Sequence, residues 1–354
     1  MSRFLIDRFQ GMEGYQLGEQ PKDREYIKLN ANESPFPPSP LVLASVTGEL
    51  QRAQRLYPDP ACTEIRREVA RLYGLPMEKI FCDAGSDVIL GYAIQAFGGR
   101  GRPVCFPDVT YNFYKVCCRT FGVPFHEVPL REDFQLAVED YRGRRGCVFI
   151  PNPNAPTGLT LTLEQIERLL AQDRDRLVLI DEAYVDYGNE SCIPLTAQYD
   201  NLLVVRTLSK AYSLAGARIG FAVGSEAVIK DLNALKDSFN PDSISTLSHA
   251  AGAAALRDQA YMRRCVGAVM ETRDWLKEEL RAFGFTLTDS HTSFLLASPK
   301  GISAPEYAKK LRERGILIRY YPQPRIDDYV RISIGSREQM EHFLQATKEI
   351  LAAL

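Results

Sequence analysis

Lys210 is the only lysine in the run Thr207-Leu208-Ser209-Lys210-Ala211-Tyr212-Ser213-Leu214-Ala215-Gly216-Ala217-Arg218-Ile219-Gly220. An amine placed there can form an imine with an aldehyde. Ser209 and Arg218 beside it can hold an anion, the arginine through a planar fork of donors suited to phosphate. A solvated loop lysine is the plain alternative, so the choice rests on what the rest of the chain supplies. The segments on either side, Asn201 to Arg206 and Ile219 to Gly224, are short apolar runs without helical period and are expected to be buried strands.

Further chemistry-bearing residues fall at the ends of similar runs. Leu177-Val178-Leu179-Ile180 stops at Asp181-Glu182-Ala183-Tyr184, and Cys147-Val148-Phe149-Ile150 runs into Pro151-Asn152-Pro153-Asn154-Ala155-Pro156-Thr157-Gly158. Ile80-Phe81-Cys82 is followed by Asp83-Ala84-Gly85-Ser86-Asp87 and an apolar helix. A strand, a Gly-Ser turn and a helix start make an anion site, because free N–H groups and the helix dipole point outward. Ser86 or Asp87 could equally only cap that helix. Pro103-Val104-Cys105-Phe106 precedes Tyr111-Asn112-Phe113-Tyr114, where Tyr111 could cover a planar ring or serve as a core aromatic.

The elements that must position these residues alternate strand and helix from residue 80 to 224. A helix capped by Thr162 and carrying Leu163, Ile166, Leu169 and Leu170 is one of them. This order predicts an α/β fold, a mainly parallel sheet with helices on both faces. Ligands of such sheets bind at the carboxyl ends of strands, where Asn154, Asp181 and Lys210 all fall. Residues 1–38 read as an N-terminal arm, because Pro35, Pro37, Pro38 and Pro40 block regular pairing and favour an extended path over a surface. Residues 39–242 form a large domain and 243–354 a smaller α+β domain. The strands of the latter carry Arg319 and Arg331, two surface arginines or an anion clamp facing a cleft.

Composition narrows the classes. The 354 residues are 45% hydrophobic and 25% charged with a formal net charge of -2, which leaves no basic excess for nucleic acid or an anionic membrane. No run has the apolar length of a membrane span, and the charged start Met1-Ser2-Arg3-Phe4-Leu5-Ile6-Asp7-Arg8 is unlike a signal peptide. The eight cysteines have no Cys-x-x-Cys spacing and the four histidines are scattered, so neither zinc nor a disulfide framework is expected. Reduced thiols point to the cytoplasm.

Together, Ser-Lys-Ala…Leu-Ala-Gly-x-Arg-x-Gly, Asp-Glu-Ala-Tyr and Pro-Asn-x-Pro-Thr-Gly resemble the pyridoxal-phosphate aminotransferases of fold type I. Gly14-Tyr15, Lys28-Leu29-Asn30-Ala31-Asn32-Glu33, Tyr57-Pro58, Ile316-Leu317-Ile318-Arg319 and Tyr329-Val330-Arg331-Ile332-Ser333-Ile334-Gly335 make the chain most similar to the histidinol-phosphate group. The resemblance covers nearly the whole chain and implies transamination of histidinol phosphate with 2-oxoglutarate in histidine biosynthesis. It implies a Schiff base on Lys210 and a ring nitrogen on Asp181, with Tyr184, and Asn154 where it can reach, at the ring oxygen. Tyr111 would lie on the ring face, and Gly85, Ser86, Thr207, Ser209 and Arg218 would surround the phosphate. Tyr15, Asn32, Arg319 and Arg331 would take the substrate. Tyr57 would reach the partner's cofactor across a homodimer with shared active sites. In three places the chain departs from the pattern: Ala155 stands where asparagine often precedes Pro-Thr-Gly, Val88 replaces a glutamate, and Leu56 an arginine. An aromatic amino acid aminotransferase, a decarboxylase like that of threonine phosphate and a non-catalytic cofactor-binding protein are the competing readings.

Overall fold

The computed structural model describes residues 2–12, 14–15 and 18–354. The arm does more than run over a surface. Its segment β1 (Ile27–Leu29) pairs in parallel with a strand of the C-terminal sheet, and Leu29 is fully buried. Pro35, Pro37, Pro38 and Pro40 all follow residue 34, leaving Ile-Lys-Leu free to pair. Two short helices, α1 (Pro40–Ser45) and α2 (Gly48–Ala53), and the longer α3 (Thr63–Tyr73) lead into the large domain.

Seven strands build its sheet: β2 (Ile80–Asp83), β3 (Val104–Pro107), β4 (Phe125–Val128), β5 (Cys147–Pro151), β6 (Val178–Asp181), β7 (Leu202–Thr207) and β8 (Gly220–Val223). Their spatial order is β2-β8-β7-β6-β5-β3-β4. All run parallel except β8, which is antiparallel to both its neighbours. Edge strand β4, Phe-His-Glu-Val, alternates too weakly to stand out in the sequence.

Strands apolar at every position must be covered on both faces. Phe149, Leu179, Leu203 and Ala222 pack beneath α4 (Ser86–Phe97) and α5 (Phe113–Phe121), while the alternate residues Val148, Ile150, Val178, Ile180 and Val204 face the other way, toward α3 and α6 (Leu163–Ala171). α6 starts at a full capping box: Thr162 accepts from Gln165 N–H and the Gln165 side chain accepts from Thr162 N–H. α7 (Glu226–Phe239) lies on the α4 side through Ile229 and Leu232.

α8 (Thr246–Arg257) packs on α1 and α3, so the boundary expected at residue 243 falls one helix too early. Gly252 allows that approach, since a Cβ there would lie 3.2 Å from Ile65 and 2.8 Å from Ile219. Helical periodicity reports an apolar face but not which sheet it meets. The long α9 (Gln259–Ala282) leads to β9 (Thr286–Leu287), β10 (Phe294–Ser298), β11 (Ile316–Tyr320) and β12 (Val330–Ser333), with α10 (Ala304–Glu313) and α11 (Arg337–Ala352) against them. The second sheet has the order β1-β11-β12-β10-β9. Among the described residues no helix is long and apolar enough to cross a membrane.

Candidate active site

Reversal of β8 sets the geometry of the site. Because β8 runs against β7, the loop carrying Lys210 and Arg218 leaves and re-enters the sheet at one edge, the carboxyl end of the parallel strands. β2 ends at the same edge, and Gly220 lies opposite both Thr207 and Asp83. The turn after β2 is thereby brought against Arg218. Gly85 starts α4 with φ +93°, and a Cβ there would sit 2.8 Å from Arg218 Nη2. A Cβ on Gly220 would lie 2.5 Å from Ser86 N, so only glycine lets these segments close. Thr207 and Ser209, both buried, share a hydroxyl–hydroxyl bond of 2.9 Å beside this turn. The free N–H groups of α4, a guanidinium and two hydroxyls form a cradle that fits a phosphate.

A cavity of about 210 Å³ extends from the cradle, walled by Lys210, Asp181, Tyr184, Tyr111, Arg319 and Arg331 together with Tyr15, Asn32, Thr207 and Ser209. Asp181 is 4% exposed, and loss of water pushes its carboxyl up to about 7, with the nearby Asp87 adding to the rise. Tyr114 and the Ala183 N–H oppose that shift by donating to Asp181 at 2.9 and 3.2 Å. A carboxylate so poorly hydrated fits a partner that brings its own positive charge, such as a pyridinium N–H. Lys210 Nζ lies 5.8 Å from the Tyr184 ring centroid and 3.4 Å from the Ala31 carbonyl. Tyr184 accepts from Asn32 Nδ2 at 2.8 Å, which leaves its own proton to donate into the cavity.

Arg319 and Arg331 are direct cross-strand partners on β11 and β12. Like charges placed opposite one another repel, and a bound anion between them would offset that repulsion. Arg331 Nη2 donates to the Asn30 carbonyl at 3.0 Å, while Nε is buried without an acceptor. Tyr15 closes the cavity against Tyr111 and Phe113, with ring centroids 5.7 and 6.0 Å away. Its phenol is pushed up to about 12, chiefly by desolvation and then by Tyr321. Asn32 lines the cavity, but its amide is tied to Tyr184 and to Ser333 Oγ on β12, so it braces the two domains as well.

Asn154 departs from its expected place. It does not line the cavity: Oδ1 accepts from Thr110, and Nδ2 donates to the Val109 carbonyl and to Thr157 Oγ1. These bonds use its amide to brace the loop, and Ala155 faces the cavity instead. Tyr57 also lies outside the cavity and is 89% exposed within one chain. Two residues escaped the sequence reading. Asp87 bridges Arg218 at 3.0 Å and Tyr111 at 2.9 Å, a role its place at a helix start does not disclose. Tyr114 holds Asp181 from behind, and its place three residues after Tyr111 is the one signal that could have singled it out.

Residues 24–346 match the family model for aminotransferase class I and II. The chain is 44% identical over 352 residues to the histidinol-phosphate aminotransferase of Brachyspira hyodysenteriae, with 99% of each chain covered. It is 40% identical to the enzyme of that name from Clostridium botulinum over the full length of both. Among solved structures, the histidinol-phosphate aminotransferase of Sinorhizobium meliloti in complex with pyridoxal-5'-phosphate superposes with a TM-score of 0.86 at 23% identity, over 100% of this chain and 99% of that one. With the site geometry and these full-length matches in agreement, the chain belongs to the class I and II aminotransferases.

Proposed function

We propose that this aminotransferase uses pyridoxal phosphate to move the amino group of histidinol phosphate to 2-oxoglutarate. The observation that carries the reading is the facing pair Arg319 and Arg331 in the same cavity as Lys210 and Asp181. The names of the relatives at 40–44% identity support the amino donor.

When bound, the cofactor supplies an aldehyde that takes up the amino group and a protonated ring that draws off electron density. Asp181 holds the proton on the ring nitrogen. Tyr111 would cover one ring face, and Gly85, Ser86, Thr207, Ser209 and Arg218 would hold the phosphate. Lys210 Nζ would hold the aldehyde and, as a free amine, would take the proton from the α-carbon of the donor. Tyr184 would donate to the ring oxygen, a task Asn154 cannot share from its braced position. Arg331 and Arg319 grip the phosphate of one substrate and a carboxylate of the other, as two successive half-reactions through one site require. The reading includes a homodimer in which Tyr57 and the half-exposed Leu41, Leu43 and Leu56 are covered by a second copy.

Single-turnover spectra with histidinol phosphate, phenylalanine and threonine phosphate test the substrate. Loss of the cofactor's visible band fastest with histidinol phosphate, and without release of carbon dioxide, is the expected result. A faster reaction with phenylalanine, or carbon dioxide from threonine phosphate, would replace the reading with one of its rivals.

A further inference from the structure

Tyr114 lies in the first turn of α5 and is fully buried. Its ring sits among Phe106, Phe149 and Tyr111, with centroids 5.8 to 5.9 Å away, an apolar setting that phenylalanine would fill as well. A buried phenol needs a partner for its hydroxyl. Here the hydroxyl reaches across the sheet to Asp181 Oδ2 at 2.9 Å. The same turn carries Tyr111, whose carbonyl accepts from Tyr114 N–H at 3.2 Å. The turn that opens α5 therefore presents both the residue over the ring face and the residue behind the ring-nitrogen carboxylate.

We propose that Tyr114 is a positioning residue for the reaction, orienting the Asp181 carboxylate toward the cavity and holding its charge. Asp181 accepts one bond on each oxygen, from Tyr114 and from Ala183 N–H. A carboxylate has about four acceptor sites, so room remains for a ring N–H. The charged and titratable groups around it are Asp87 from α4, Glu182 beside it on the chain, Tyr111 just before α5 and Tyr114 within it, and Tyr184 and Lys210 on the cavity wall. The two acids oppose its ionisation, and Tyr114 is the one side chain that donates to it among the described residues. Without that hydroxyl the carboxyl rises above its present position near 7. A hydrogen bond to a charged group amounts to one to two pH units, roughly.

The inference rests on the pyridoxal-phosphate reading, and binding separates the two. Pyridoxal phosphate is titrated into apo wild type and Tyr114→Phe between about pH 6.5 and about pH 9.5, with affinity read from the cofactor's visible absorption. The variant should bind roughly ten- to a hundredfold more weakly at the acid end and converge on wild type at the alkaline end, where Asp181 is ionised in both. In an Asp181→Asn background the same substitution should give a ratio that does not vary with pH. A wild type that fails to bind pyridoxal phosphate sinks the cofactor reading itself. A wild type that binds, with a variant that matches it or is weaker by the same factor at every pH, leaves Tyr114 as packing and overturns the inference.

Discussion

Replacing Arg331 by alanine tests whether the paired arginines form the substrate clamp. In the structure its guanidinium spends Nη2 on the Asn30 carbonyl, keeps Nε buried and unpaired, and lies over the Phe294 and Tyr321 rings at 5.5 and 5.6 Å. Removing one partner of a desolvated charged contact costs about 2–5 kcal/mol. For this half-buried side chain the middle of that range, about 3–4 kcal/mol, corresponds to roughly two to three decades. Stability should change much less. Taking one charge from the Arg319–Arg331 pair returns about 0.2–1 kcal/mol of repulsion, against a similar loss of contact with the two rings. Steady-state kinetics with each substrate varied in turn, beside a thermal scan, reads both terms. The kcat/KM values for histidinol phosphate and 2-oxoglutarate should fall together while Tm moves by only a few degrees, and Arg331→Lys, with charge but no fork, should recover only part of the loss. Unchanged kinetics for either substrate, or a collapse of Tm large enough to account for the loss, would refute the clamp.

Lys210→Ala should abolish both the visible absorption of the cofactor-loaded protein and transamination; a variant that still turns over would remove Lys210 from the chemistry. Gly85→Ala places a Cβ against Arg218 at a φ of +93°, and a strain of about 1–3 kcal/mol should appear as a five- to hundredfold loss of pyridoxal-phosphate affinity, roughly. Wild-type affinity in equilibrium titration would show the cradle to be looser than drawn. Asp186→Ala leaves the buried Arg206, otherwise bonded to Tyr73 OH, without its carboxylate, and urea unfolding should register a loss of about 3–5 kcal/mol. A loss under about 1 kcal/mol would mean that Arg206 is hydrated in solution.

How far the sequence discloses the site depends on whether a residue's role follows from its place along the strand or from what lies behind it. Asp181, Lys210 and Gly85 each follow an apolar run, and the carboxyl edge of a parallel sheet is where ligands bind. Asn154 has the same kind of position and yet faces away. An address at a strand end fixes a backbone, whereas Thr110, Thr157 and the Val109 carbonyl decide where the amide points. Tyr114 is hidden for the opposite reason: in a run of aromatics a structural ring and a hydrogen-bonding one look alike. The pairing of β1 and the packing of α8 are not legible because their partners, β11 and α3, lie far along the chain. Tyr57 has no contact in the cavity of its own chain to read.

The antiparallel strand explains why the pieces that were legible converge. In a wholly parallel sheet the segment after β7 would have to cross back before re-entering, and Lys210 and Arg218 would lie on one long connection at opposite edges. With β8 reversed, twelve residues from Leu208 to Ile219 begin and end at the carboxyl edge. Thr207, Gly220 and Asp83 then form one row across β7, β8 and β2, while Pro151, Asp181 and Val205 form another across β5, β6 and β7. The first row sets the phosphate cradle and the second sets the carboxylate. Lys210 emerges three residues beyond the first row, two strands from Asp181's neighbour β5 and within reach of both. Any change that slipped β8 by one residue would turn Gly220 away from Ser86 and put a side chain in the cradle. The register of that single reversed strand therefore sets where the parts of the cradle meet.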